Sequence, residues 1–233
     1  MFAFIVPILT MRTIAEERKQ KTDQQLYSLP ISTTEVVLGK FLALLVVFAV
    51  PMLIISFYPL VFARFGEVYL PTAYSAILAY FLLGAALIAV GVFISSLTDN
   101  QGFAAGIGIA VILLNYYSVS LSEFVSSTSL GATVAFAILA VLLGLLVYAL
   151  TRKRDLAVAV AVIPIAVLII VYFYAPSLLE GLLPTLVASV SLFDRFNAFV
   201  NGVFDVTAVV FYLSVMAFFL FLTVQSLEKR RYA

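Results

Sequence analysis

The chain alternates long apolar runs with short polar breaks. Six of the runs contain no Asp, Glu, Lys or Arg and reach about the 20 residues that a helix needs to cross a bilayer. None of them shows the strict alternation of a lipid-facing strand. The pattern therefore predicts an all-α fold, a polytopic integral membrane bundle with six full transmembrane helices. The six are predicted at Phe41–Ala63, Thr72–Leu97, Phe103–Leu121, Gly131–Leu150, Leu156–Ala175 and Val206–Leu227.

One further apolar stretch, Met1–Thr10, is too short to cross a bilayer. As a helix it would be about 15 Å long, half the hydrocarbon thickness. It has no basic stretch before its apolar part and no small-residue cleavage site after it, which disfavours a signal peptide. We expect a truncated helix, the end of a span whose beginning is absent from this sequence.

Composition supports a membrane protein and narrows its chemistry. Of the 233 residues, 64% are hydrophobic and 11% are charged, whereas soluble domains are near a quarter charged. The chain contains no cysteine and no histidine, so it offers no thiol nucleophile and no imidazole ligand for a metal. An integral membrane enzyme is therefore the weakest interpretation, because the scattered carboxylates cannot assemble a nucleophile with its base. We expect no catalytic, cofactor-binding or metal-binding residues.

The placement of the basic residues predicts the orientation in the membrane. If the helices alternate and the segment Met11–Lys40 lies in the cytoplasm, eleven basic residues lie inside and only Arg64 and Arg195 lie outside. This imbalance follows the positive-inside rule. It predicts a multi-pass protein of the cell membrane with a cytoplasmic C-terminus. The eleven are Arg12, Arg18, Lys19, Lys21, Lys40, Arg152, Lys153, Arg154, Lys229, Arg230 and Arg231.

The predicted spans contain no ionisable relay, and the chain has no nucleotide-binding loop. Ion-coupled transporters carry ionisable groups at membrane depth, whereas the polar residues here are weak ones such as Asn115. The Gly39–Lys40 pair lacks the upstream glycine and the following Ser or Thr of a phosphate-binding loop. If this protein moves a substrate, its energy comes from another protein.

Small residues cluster in two of the predicted spans. Gly102, Gly106 and Gly108 form a small-xxx-small face, and Gly84 with Gly91 does the same one span earlier. Such faces let two helix backbones approach closely in a membrane. They predict helix packing, either within the chain or between two copies.

The segment Met11–Lys40, which we call the polar segment, is the long hydrophilic island of the chain. After a densely charged part, Gln24–Leu29 is a short amphipathic stretch that Pro30 ends, and Ser32 with Glu35 predicts a capping box at the start of the next helix. A solvated interfacial loop that touches lipid is one interpretation. Acidic residues interleave with the basic ones, which favours a protein partner.

Residues 176–205 are longer than a turn and are predicted to form short helices on the outer face. Their apolar side chains are spaced to make one face, which can lie in the membrane interface or re-enter as a lid over a pathway. Both alternatives stay open at this point. The face consists of Leu192, Phe193, Phe196, Phe199 and Val200.

Three motifs resemble those of a known family. They are MRTIAEERKQKTDQQLYSLPISTTEVVLGKFLA at the start, FISSLTDNQ at Phe93–Gln101, and SLFDRFNAFVNGVFD with LFLTVQSLEKRR near the end. Together they resemble the membrane subunit of an ABC-2 type transporter, within the gliding-motility-associated permease group. Members of that group carry a further span before the first motif. The chain also has a hairpin between the later motifs that the six-span pattern does not need. With the missing first span restored and Met1–Thr10 counted as the end of the second, we expect eight spans.

The resemblance implies a function. The chain would be one permease domain, residues 1–233, with a cytoplasmic coupling segment at 12–40 that docks on a separate ATP-binding cassette protein. A second permease subunit, identical or different, would complete the translocation path, and the partner ATPase would bind ATP and Mg. Neither the cargo nor a role for nucleic acid follows from the residues. The coupling residues implied are Glu16, Glu17, Arg18, Thr22, Leu26, Tyr27, Leu29 and Pro30.

Two functions remain from different classes. The first is an ATP-driven exporter subunit, in which the coupling segment works as a lever on the attached spans. The second is a membrane anchor without transport, which recruits a cytoplasmic complex through the same polar segment. The rate of ATP hydrolysis by a partner, with and without this chain, separates them.

Overall fold

The computed structural model describes residues 2–22, 31–151 and 154–231 of the chain. Within these ranges the protein is built from helices joined by short turns, with no β-strand. The predicted all-α polytopic membrane bundle is confirmed. The α-helices are α1 Phe2–Thr10, α2 Ala15–Lys19, α3 Thr33–Ser56, α4 Tyr58–Phe62, α5 Leu70–Leu97, α6 Gln101–Phe124, α7 Ser129–Thr151, α8 Arg154–Tyr174, α9 Leu182–Ser189, α10 Asp194–Val200 and α11 Val206–Arg231.

Each predicted span coincides with a helix, but the helices differ in length and apolarity. Four segments of the described residues could cross a membrane: Thr33–Phe62, Leu70–Leu97, Gln101–Phe124 and Val206–Arg230. In the predicted hairpin, Ser129–Leu145 is a shorter apolar helix, and Val158–Tyr174 bends by 117° into Pro176–Ser189. Length and composition thus support four spans, or five if the bent pair is one span, where the sequence predicted six.

The chain divides into two compact units, and the single permease domain at residues 1–233 stays a prediction. Unit 1 comprises Met1–Tyr116 and Leu192–Ala233, and unit 2 comprises Tyr117–Ser191. Unit 2 holds the end of α6, the antiparallel α7–α8 hairpin, a 3-10 turn at Pro176–Leu178 and α9. The predicted hairpin, α7 with α8, lies within unit 2.

Helix α5 is the centre of unit 1. It packs against α1, α3, α10 and α11, and most of its residues from Leu83 onward are buried. Two glycines allow this close packing: a Cβ at Gly84 would overlap the ring of Phe48 on α3, and one at Gly91 would lie 2.9 Å from the Cβ of Thr10 on α1. Because α5 is enclosed by other helices along its length, its end groups are the part that can hydrogen-bond to the connecting segments.

Candidate coupling site

The polar segment begins as a short helix beside α5. The helix α2 covers Ala15–Lys19, and Thr22 closes the turn after it by donating from Oγ1 to the carbonyl of Glu17 at 3.2 Å. The predicted amphipathic stretch Gln24–Leu29 and the following Pro30 fall within residues 23–30, so Leu26, Tyr27, Leu29 and Pro30 lie outside the described residues. Their predicted docking role stays a prediction.

A capping box starts α3 at the far side of the polar segment. The hydroxyl of Ser32 accepts from the backbone N–H of Glu35 at 3.2 Å, and the Glu35 carboxylate accepts from the N–H of Ser32 at 2.8 Å. These two bonds satisfy donors that the first turn of a helix leaves without intrahelical partners. The helix therefore begins at Thr33, eight residues before the predicted span at Phe41.

Lys40 ties α3 back to α2. Its Nζ donates to the backbone carbonyl of Thr13 at 2.8 Å and forms an ion pair with the carboxylate of Glu17. The side chain of Lys40 is 18% exposed and that of Glu17 is 36% exposed. This pair joins the two ends of the polar segment across the residues between them.

Arg18 lies inside the chain, where a role at a partner's surface would require exposure. Its side chain is 3% exposed, and Nη1 donates to the backbone carbonyl of Ser96, in the last turn of α5. The carboxylate of Asp99, just beyond that helix end, is 3.9 Å from the same nitrogen. A cation at this place complements the negative end of the α5 dipole. This geometry indicates that Arg18 links α2 to the end of α5 within the chain.

Ser95 makes the reciprocal contact. Its Oγ accepts from the backbone N–H groups of Ile14 and Ala15, at 3.2 and 3.1 Å, and donates to the carbonyl of Met11 at 3.2 Å. The side chain of Ser95 is fully buried. One hydroxyl on α5 therefore holds the end of α1 and the start of α2.

The C-terminal helix reaches the same place. Ser226 on α11 donates to the carbonyl of Ser96 at 3.3 Å. Arg230 contacts the carboxylate of Asp99 at 3.2 Å and the carbonyl of Leu97 at 3.4 Å. Side chains from α2 and from α11 thus share the last carbonyls of α5.

We call the cluster of Arg18, Lys40, Ser95, Asp99 and Arg230 the polar end of unit 1. Its members come from all three motifs that carry the resemblance, which lie far apart in the sequence. The sequence interpretation missed Ser95, Asp99 and Arg230. A signal for them was available, because all three lie within the motifs, at the polar ends of apolar helices.

The other end of unit 1 is built mostly from rings. Phe2 lies 4.5 Å from Tyr80 and 6.3 Å from Phe193 between ring centroids, Tyr80 lies 5.9 Å from Phe196, and Tyr116 lies 5.2 Å from Phe193. We call these five residues the aromatic end. Along α5 it lies roughly 22 Å from Ser95 at the rise of an α-helix.

Leu192 is held beside the aromatic end by two side chains. Asn115 Oδ1 accepts from the N–H of Leu192 at 3.0 Å, and the Tyr212 hydroxyl donates to its carbonyl at 2.8 Å. Leu192 and Phe199 are buried in the core, whereas Val200 is exposed. The predicted apolar face of residues 192–200 is therefore packed onto the bundle along most of its length.

The three glycines of α6 have different surroundings. A Cβ at Gly108 would lie 3.1 Å from the Cβ of Pro7, and one at Gly102 would meet only Asn100 Oδ1 at 3.4 Å, which accepts from the Gly102 N–H. A Cβ at Gly106 would meet nothing within 4 Å. Close packing within the described residues thus involves Gly108.

These features define a polytopic helical membrane protein whose polar segment is fastened onto the ends of its helices. Residues 1–125 match the family model of the ABC-2 family transporter proteins, which is more than half of the chain, and the chain belongs to this family. It is a membrane permease subunit of an ABC transporter, as the resemblance implied. The finer gliding-motility grouping stays a prediction. No curated protein and no solved structure matches the chain.

Proposed function

We propose that this chain is the membrane-spanning subunit of an ATP-driven exporter. A separate ATP-binding cassette protein docks on the polar segment and binds ATP and Mg, and a second permease subunit completes the translocation path. The observation that carries the proposal is the polar end, where the polar segment is hydrogen-bonded to α5 and close to α11. A displacement of the polar segment therefore acts directly on the helices that form the core.

The polar end also supports the proposed orientation. The polar segment, the turn at Asp99 and the last turn of α11 lie together, and Arg230 belongs to the basic group at the C-terminus. One end of unit 1 thus collects the charges that the positive-inside rule assigns to the cytoplasm. We place this end in the cytoplasm, in a protein of the cell membrane.

The docking surface consists of the exposed side of the polar segment. Glu16 is partly exposed and its carboxylate accepts from Gln20 at 3.1 Å, while Lys19 and Thr22 are exposed. Arg18 and Glu17 are engaged with Ser96 and Lys40. We therefore assign polar contacts with the ATPase to Glu16 and Thr22, and apolar contacts to the adjacent Leu26, Tyr27 and Leu29.

Co-purification with the ATPase tests the docking. In a Tyr27→Asp, Leu29→Asp double variant we expect the ATPase to be lost from the purified complex, because two charges would enter an apolar contact. The matched control is Phe65→Asp with Tyr69→Asp, since both side chains are highly exposed and lie before α5. Equal recovery of the ATPase with both double variants would overturn the docking proposal.

The ATPase rate separates transport from anchoring. A transporter subunit changes the turnover of its ATPase, because hydrolysis and helix movement are coupled. We expect the purified ATPase to hydrolyse ATP at a different rate when this chain is present in the membrane. An unchanged rate together with stable binding would support the membrane anchor instead.

A further inference from the structure

Helices α2 and α5 cap each other's ends. The first N–H groups and the last carbonyl groups of a helix lack partners within it. The N-cap residue of α2 is Ile14, whose side chain makes no capping hydrogen bond. The hydroxyl of Ser95 on α5 takes this role by accepting from the backbone N–H groups of Ile14 and Ala15. In return, Arg18 of α2 donates to the Ser96 carbonyl at the end of α5.

The reciprocal cap leaves little freedom for movement between the two helices. The Ser95 hydroxyl uses its one donor and both acceptor positions, and it is fully buried. Separating α2 from α5 would leave buried donors and acceptors without partners, which is costly in the low-dielectric interior. The two helices therefore behave as one body.

The contact between α2 and α3 has a different character. It runs through the Lys40 ammonium, on a flexible four-carbon side chain, to a Glu17 carboxylate that is 36% exposed. Partly exposed ion pairs exchange with water at low cost. This joint can change its geometry while the reciprocal cap stays closed.

We propose that Ser95 and Arg18 are positioning residues that join α2 to α5, so that force on the polar segment enters the bundle through α5. Ser226 and Arg230 pass part of it to α11, because they hold the same end of α5. The flexible joint is the one at Lys40. This inference rests on the proposed function, since it assumes that an ATPase moves the polar segment.

A distance measurement tests whether α2 and α5 move together. The chain contains no cysteine, so Lys19→Cys on α2 and Leu97→Cys at the exposed last residue of α5 place two spin labels without background. In the complex with the ATPase, we expect the same mean distance without nucleotide and with Mg-ATP and vanadate. With Ser95→Ala added, we expect the distance to change or its distribution to broaden on trapping. A nucleotide-dependent change in the otherwise unmodified pair would overturn the proposal.

The response of the ATPase to this chain gives a second readout. We expect Ser95→Ala and Arg18→Gln to keep the ATPase bound but to lower the chain's effect on ATP hydrolysis by about 2- to 30-fold, the usual range for coupling residues. Arg18→Lys should restore part of the effect, because it keeps a cation at the helix end. The controls are Ser214→Ala, which removes a bond within α11 only, and Arg64→Gln at an exposed site. A wild-type response in both test variants would overturn the proposal.

Variants at two exposed positions test the proposal if a buried variant does not fold. Arg230→Gln and Asp99→Asn change side chains that are 47% and 62% exposed, so both proteins should remain monodisperse. Each should lower the ATPase response about twofold, the low end of that range. A full response in both would overturn the proposal. Failure of the unmodified chain to bind the ATPase would instead overturn the proposed function, so the two failures are distinguishable.

Discussion

The polar end and the aromatic end of unit 1 solve the same problem with different chemistry. Both hold a connecting segment through hydrogen bonds in which backbone groups have side-chain partners. At the polar end these partners are a guanidinium and a serine hydroxyl, with the exposed Asp99 and Arg230 around them. Beside the aromatic end they are the neutral side chains of Asn115 and Tyr212.

The difference indicates which end can change during function. The carboxylates and cations at the rim of the polar end can exchange partners with water or with another protein at small cost. The aromatic end packs the buried Phe2 against partly buried rings beside the buried Leu192, and opening it would expose apolar surface and unpaired backbone groups. We therefore expect the partly exposed pairs of the polar end, at Lys40 and at Asp99 with Arg230, to exchange partners in a transport cycle. The buried contacts of Ser95 and Arg18 and the aromatic end stay closed.

The largest effect is expected at the core beside the aromatic end. Phe199→Ala removes a fully buried ring, and such truncations cost about 3–5 kcal/mol because a cavity remains. Unfolding in sodium dodecyl sulfate, followed by circular dichroism, measures the loss. The control is Val200→Ala at an exposed position, which should change stability by less than about 0.5 kcal/mol. Equal effects of the two variants would contradict the packed placement of α10.

Arg18→Met is expected to come next. The variant keeps most of the side-chain volume but removes the charged donor to Ser96, and a hydrogen bond to a charged group contributes about 1.5–3 kcal/mol. The same unfolding assay measures it. Because the group is 3% exposed, the loss should persist at high salt. A variant as stable as the wild type would show that the hydrogen bond of Arg18 to Ser96 does not stabilise the polar end.

Tyr212→Phe sharpens the comparison beside the aromatic end. It deletes only the hydroxyl that donates to the Leu192 carbonyl, so we expect a loss of about 1 kcal/mol. Tyr74→Phe is the control, because the Tyr74 hydroxyl bonds at an exposed site. If both changes have the same effect, the Leu192 contact does not fasten the segment.

The smallest effect is expected for Arg230→Gln. Its ion pair with Asp99 is partly exposed, and such pairs contribute about 0–1 kcal/mol. The loss should vanish near 1 M salt, where the screening length falls to about 3 Å. A larger loss that does not depend on salt would mean that Arg230 belongs to the buried part of the polar end.

Local signals in the sequence predicted the helices and their starts. The apolar runs predicted the helical segments, and the S-x-x-E pattern at Ser32 and Glu35 predicted the cap that the structure contains. Such features depend on neighbours within a few residues, so a single sequence contains them. The helical character of residues 176–205 was predictable for the same reason.

The partners of Arg18 could not be predicted in this way. A charged residue in a polar segment is ordinarily solvated, and the family resemblance implied a role for Arg18 at a partner's surface. Its actual partner, Ser96, is 78 residues away. The same holds for Ser95, which reads as an ordinary small polar residue near a helix end until Ile14 and Ala15 are seen beside it.

By itself the sequence determined that this chain spans a membrane as helices and that its motifs resemble those of an ABC-2 permease. The helices follow from apolar length and local capping, which need no tertiary contact, and the family follows from the resemblance of the three motifs. Only the tertiary structure decided that Arg18 and Ser95 fasten α2 to α5. That choice depends on backbone groups at helix ends, which are satisfied by whichever side chain the fold brings within hydrogen-bonding distance.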